Sequence, residues 1–219
     1  MDFDLELARK NAEYFKSDFA KGLRIEDLPL IGAGKHQKAF SYKNLVIKTP
    51  IDDALNDLAK IAKQYHDLLV QSSRRGIQQN LKFAPILDYI RNNKEFCTIS
   101  PYIDGTELPD CTNQQMLDIG VDGMKRYLKN NIKLAQINLA PEIHDARNFK
   151  LSTQGNINIL DYSTDWYPLW IYLNQRIRPR KRSEVIIDIN YKSYKIISAC
   201  RFDKKVMNNL RIALRQHET

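Results

Sequence analysis

Between Leu28 and Tyr102 the chain is cut by turn signals into short runs of strand-forming residues, and from about Thr112 it changes to helical periodicity. That change of texture restricts the fold more than any other feature, because a period of two and a period of 3.6 cannot be served by one kind of element. Three runs come first, Leu28–Ile31, Lys38–Tyr42 and Leu45–Thr49, parted by Gly32–Gly34 and by Lys43-Asn44. Two more, Ile86–Arg91 and Phe96–Tyr102, flank Asn92-Asn93 and read as a hairpin. A helix is expected over residues 2–21, stopped at Gly22, and a second after Pro50, capped by Asp52 or Asp53 and running through Tyr65, Leu68 and Leu69. A last strand pair, Phe149–Leu151 and Ile157–Leu160, flanks Gln154-Gly155. The expectation is an α+β chain in two lobes. Residues 1–102 hold a helix and a small antiparallel sheet, and residues 103–219, after a connector at 103–111, a reduced and mostly helical lobe.

With 43% hydrophobic and 27% charged residues in 219, the chain has ample apolar surface to offset the entropy of ordering it. Only 8 Gly and 8 Pro rule out collagen-like and low-complexity classes. The balance is basic, 34 Lys+Arg against 26 Asp+Glu for a net +8, which suits nucleic acid, an anionic membrane face or phosphorylated ligands. No run approaches the roughly 18 apolar residues of a membrane span. Asp2, Asp4 and Glu6 occupy the stretch where an export signal needs positive charge, so a cytoplasmic location is expected, with non-classical secretion as the alternative. Cys97, Cys111 and Cys200 are odd in number and widely spaced, the pattern of reduced thiols and not of a zinc site.

Three segments carry possible chemistry. In the first, Gly32-Ala33-Gly34-Lys35-His36 lies between two strands, and Lys48 ends a third. Glycines there let backbone amides approach polyanionic phosphates, and the Lys adds an ammonium. The competing reading is a tight hairpin with a surface Lys. In the second, the strand Phe96–Tyr102 runs into Ile103-Asp104-Gly105, a segment able to hinge two lobes and to offer backbone groups to an adenine edge, or simply a strand followed by a turn. In the third, Asn148 and Asp161 stand thirteen positions apart at the outer ends of the predicted hairpin, so an amide oxygen and a carboxylate converge. Hard oxygen donors of this kind suit Mg²⁺, which takes its other ligands from water and phosphate. Alternatively, Asn148 caps a turn and Asp161 caps a helix through Trp166 and Trp170.

Together these segments resemble the protein-kinase-like fold over about Leu28 to Ser163. The resemblance implies ATP and Mg²⁺ as ligands and a hydroxyl as phosphate acceptor. It implies that Gly32, Gly34 and Lys35 belong to the Gly-rich loop and that Lys48 pairs with phosphate. It further implies that Asp67 (or Asp57) is the acid paired with Lys48, that Tyr102 lies in the hinge, and that Asn148 and Asp161 hold the metal. More narrowly, Gly32-x-Gly34-Lys35-His36-x-Lys38 and Met124–Lys129 resemble the YrbL family, which is linked to the PhoP regulatory network. The departures are specific. Gln37 stands where a third glycine belongs, and Ile143 where the catalytic-loop Asp belongs; an isoleucine neither orients nor deprotonates a hydroxyl. Another register lays Asn138–Ile143 over the family's catalytic loop but loses the hairpin spacing. Asp145 is therefore the candidate for positioning the acceptor. Only 58 residues follow Asp161, so the second lobe is short.

Two further readings stay open. The Ile143 position and the short second lobe suit a pseudokinase that binds a protein partner. The cluster Arg176, Arg178, Arg180, Lys181 and Arg182, with Tyr191 and Tyr194 among later basic residues, suits nucleic acid or a solvated loop. His66 reads as incidental, and His144 beside Asp145 as structural.

Overall fold

The computed structural model describes residues 2–33, 37–50, 59–91, 96–137, 139, 145–160 and 182–216. The chain is α+β and divides into two compact units, one of residues 3–80 and 84–102, the other of residues 81–83 and 103–219 with Asp2.

In the first unit, Asp4 accepts the Leu7 amide at 3.0 Å and starts helix α1 (Leu5–Ala20), which ends before Gly22 at φ 106°. Strands β1 (Leu30–Ala33), β2 (Gln37–Tyr42), β3 (Leu45–Pro50), β4 (Asp88–Arg91) and β5 (Phe96–Pro101) form an antiparallel sheet in the order β1-β2-β3-β5-β4. Helix α2 (Ala59–Gln78) lies between β3 and β4 in sequence. It runs well past Leu69, and its expected capping by Asp52 or Asp53 falls outside the described residues. The first strand also differs from expectation. It continues through Gly32 and Ala33, so the Gly-rich segment begins as strand and not as turn.

Strand alternation assigns the two faces of this sheet. Phe40, Leu45, Ile47, Cys97 and Ile99 point to one face and bury against Ala8, Ala12 and Phe15 of α1. Three polar contacts pin α1 to the sheet and its loops. Lys16 Nζ reaches Asp88 at 2.8 Å, the Tyr42 hydroxyl donates to Asp18 at 2.6 Å, and Asn11 Nδ2 donates to Asn44 Oδ1 at 2.6 Å. Burial alone would lower the Lys16 pKa, but its hydrogen bonds to Asp88 and Glu13 outweigh that and raise it. Burial and the Asp18 carboxylate push the Tyr42 hydroxyl up to about 12.

The second unit is built on helix α3 (Asn113–Gln136), opened by a reciprocal cap in which Thr112 Oγ1 accepts from the Gln115 amide and Gln115 Oε1 from the Thr112 amide. The connector at 103–111 holds more structure than its sequence suggested. Strand β6 (Thr106–Glu107) and a 3-10 turn (Leu108–Asp110) lie within it, and β6 pairs with β7 (Phe149–Leu151), which pairs with β8 (Ile157–Ile159). Gly105 makes that pairing possible. Its φ is +146°, and a Cβ there would run into the Leu151 carbonyl. Asn130 of α3 ties down the segment after α2: its side chain accepts from the Lys82 amide at 2.7 Å and donates to the Lys82 carbonyl at 2.9 Å. Helices α4 (Arg182–Ala199) and α5 (Lys204–Arg215) both pack on α3, and α4 also touches the 3-10 turn at Ala146–Asn148.

Candidate functional site

In the first unit two of the candidate residues, Gly32 and Lys48, share one row of the sheet. β1 pairs with β2 as Leu30↔Phe40 and then Gly32↔Ala39, so Ile31 is an extra residue, a bulge. The slip brings Gly32 opposite Ala39; Ala39 is opposite Lys48, Lys48 opposite Thr98, and Thr98 opposite Tyr89. Because Ile47 faces α1, Lys48 and its row belong to the other face. From Gly32 to Lys48 the row spans two strand spacings, about 9–10 Å. Between Gly32 and Lys48 the row holds Ala39, and a Cβ built on Gly32 would meet nothing within 4 Å. Lys48, at the end of this row segment, is half-buried.

The far end of the same row is aromatic. The His66 ring of α2 lies 4.1 Å from Phe96 and 5.2 Å from Tyr89, centroid to centroid, and His66 is buried. The Tyr89 hydroxyl donates to the Asp67 carboxylate at 2.8 Å. His66 is thus part of the packing that holds α2 to this face, and not the incidental residue its isolated position in the sequence suggested. Asp67, read as the acid that pairs with Lys48, sits in a contact with a tyrosine two strands away from that lysine. A sequence signal for this cluster existed: Phe96, Thr98 and Ser100 alternate with Cys97 and Ile99, which puts a second, mixed face opposite the apolar one. Tyr102, the expected hinge residue, is 41% exposed, and its amide donates to the Asn44 carbonyl at 2.7 Å. The first unit ends there, and the second resumes at Ile103. Lys150 of β7 holds the Ile103 carbonyl at 3.3 Å.

In the second unit the hairpin β7–β8 closes around Asn148. Phe149 pairs with Ile159, and the Leu160 amide donates to the Asn148 carbonyl at 2.7 Å, which brings positions 148 and 160 together at the open end. Asp161 is the next residue in the chain and lies outside the described residues. So do Gly34, Lys35, His36, Asp57, Ile143, His144, Trp166, Trp170 and the basic positions 176–181. Asn148 is half-buried; Asp145 is exposed and caps the turn, its carboxylate accepting the Arg147 amide at 2.9 Å. Among the described residues no group of three or more His, Cys, Asp or Glu converges to enclose a metal. Asn148 offers an amide oxygen, a donor type that suits a magnesium ion, which needs only one or two such ligands when phosphate and water supply the rest.

Cys111 and Cys200 are free, and burial pushes both thiols up to about 11, so they are protonated and poor nucleophiles near neutral pH. On the later helices, Tyr191 is 66% exposed on α4, and Arg211 of α5 donates to the Tyr194 hydroxyl at 3.4 Å. No described helix is long and apolar enough to cross a membrane. No protein-family model matches the chain, and no curated protein matches it either.

Proposed function

We propose that the protein is a divergent kinase-like phosphotransferase that binds ATP with Mg²⁺ and passes phosphate to a hydroxyl acceptor. In this reading the first unit supplies the phosphate contacts, with Gly32, Gly34 and Lys35 lining the phosphates and Lys48 pairing with them. Asn148 and Asp161 of the second unit serve as metal ligands. The observation that carries the reading is the Gly32–Ala39–Lys48 row, in which a strand bulge brings Gly32 into line with a half-buried lysine. The closure of the hairpin by the Leu160–Asn148 bond supports the second half. When bound, Mg²⁺ neutralises charge on the transferring phosphate; the chain's own residues orient the nucleotide and the acceptor, which is most of what phosphoryl transfer requires. Asp145 positions the acceptor hydroxyl, and Tyr102 lies beside the base.

A second reading, a pseudokinase that binds nucleotide and a protein partner without transfer, is favoured by one observation. The Asp145 carboxylate already accepts a backbone amide as a turn cap, and the alternative base position holds Ile143. Nucleotide binding by calorimetry and transfer from γ-labelled ATP, with wild type, Lys48→Ala and Asp161→Ala, test both. Binding and turnover in the wild type that fall in both variants support the kinase reading. Binding without turnover supports the pseudokinase, and equal ATP affinity in all three proteins removes the site assignment.

A further inference from the structure

Seven Lys and Arg stand between Ile186 and Gln216 against two acids, Asp188 and Asp203, a surplus of five out of the chain's net +8. Neither acid answers the charge along α5. Asp203 caps that helix, its carboxylate accepting the Val206 amide at 2.9 Å, and Asp188 pairs with Lys192 of α4 at 2.9 Å. Helix α5 itself contains no acid. Along it Lys204, Asn208, Arg211 and Arg215 recur at intervals of four, three and four, all exposed, which at 3.6 residues per turn sets them within about 60° of arc. Val206, Leu210 and Ala213 fill the opposite, buried side. On α4 the outward face is aromatic. Ile187 is 67% exposed and Tyr191 is 66% exposed, one turn apart, and Tyr194 lies on the same side of the helix. Arg211 joins the two rows, its guanidinium donating to the Tyr194 hydroxyl at 3.4 Å.

Helix stability accounts for neither row. Lys204 and Lys205 occupy the first turn of α5, at the positive end of the helix dipole, where cations are unfavourable. A tyrosine ring left two-thirds exposed contributes little by burial, and Tyr is a mediocre helix former. Basic side chains bordering exposed rings suit a chain of phosphates that carries flat, unpaired bases. A duplex keeps its bases stacked and out of reach of a ring on a helix face. An anionic membrane matches the charge but asks for a broad apolar stripe, where this face offers Ile187 between rings that carry hydroxyls. We propose that the exposed faces of α4 and α5 form a binding surface for single-stranded nucleic acid. Lys204, Arg211 and Arg215 hold the phosphates, and Tyr191 stacks on a base. The surface lies wholly within the second unit and does not rest on the nucleotide site proposed above.

Binding of a fluorescent oligodeoxythymidine to the full chain, followed by anisotropy against salt, tests this with the basic positions 176–182 left unchanged. Wild type should bind with log K falling against log salt at a slope of about −2 to −3, that of about three or four contacts at about −0.7 each. Lys204→Gln, Arg211→Gln and Arg215→Gln together should flatten the slope by about 2. Tyr191→Ala should weaken binding about fivefold to tenfold at unchanged slope, and Tyr191→Phe should keep it, because the ring and not the hydroxyl stacks. Absence of binding by wild type, or an affinity and slope that the triple variant leaves unchanged, overturns the proposal. Equal binding by Tyr191→Ala and wild type reduces the surface to an unselective polyanion site and also overturns it. Preference for phosphatidylserine vesicles over the oligonucleotide overturns it in favour of a membrane.

Discussion

Gly32, Ala39 and Lys48 in the first unit are held by strand register, whereas Asn148 in the second is held by the closure of a hairpin whose strands are three residues long. A register across five strands leaves a side chain no choice of face, because a slip of one residue would drive Lys48 into the apolar layer beneath α1. A short hairpin has no such guarantee. The second unit compensates with specific partners: Gly105 against Leu151, Lys150 on the Ile103 carbonyl, Asn130 on Lys82, and Phe149 against Tyr127. The comparison teaches where sensitivity should lie. Gly32, with open space beside it, should tolerate a side chain without loss of fold, while Gly105 in the second unit should not.

The largest expected effect tests the separation of the two faces of the first unit. Phe15→Ala empties the α1 face and should cost about 3–5 kcal/mol in urea unfolding, while the protein that remains folded keeps its Mg-ATP affinity, because Lys48 lies on the other face. Loss of that affinity at full folding would break the separation. Next come two glycines. Gly105→Ala meets both an unfavourable φ and the Leu151 carbonyl and should cost about 2–4 kcal/mol, whereas Gly32→Ala meets open space and should change stability by less than about 0.5 kcal/mol. Comparable losses in the two variants would deny the contrast between the units.

Ala39→Leu should leave the melting temperature within a few degrees of wild type and weaken ATP binding by about tenfold or more, about 1.4 kcal/mol, because it puts a bulky side chain between Gly32 and Lys48. The smallest effect is in alkali. The neutral form of Tyr42 is favoured in the folded chain, so its contribution is whole below pH 10.0 and is lost as pH climbs through about 12. Tyr42→Phe should flatten that part of the stability profile, and an unchanged slope would show that the Asp18 bond is not felt.

Much of this was legible in the sequence, and the division is physical. The short runs at 45–49 and 96–102, bounded by turn signals, announced strands, Gly22 announced the end of the first helix, and the change of texture near Thr112 announced the helical part. The Gln154-Gly155 turn announced the hairpin. What could not be read depended on pairing between distant segments. Nothing local shows that Ile31 is bulged out, yet that one residue decides that Gly32 shares a row with Lys48. Strand β6 is two residues long, too short for a period, and exists because β7 offers it a partner. His66 joins Tyr89 and Phe96 only once α2 lies on the sheet, and Asp67 meets Tyr89 there for the same reason. The Asn148–Leu160 bond, by contrast, followed from the hairpin itself.

The central claim, that Lys48 serves phosphate and Asn148 serves the metal, is tested most directly by ATP affinity measured calorimetrically with and without Mg²⁺ in wild type, Lys48→Ala and Asn148→Ala. The account predicts that Lys48→Ala weakens binding about tenfold or more in both conditions, and that Asn148→Ala weakens it only when Mg²⁺ is present. Affinities that match wild type in all four variant measurements would contradict it.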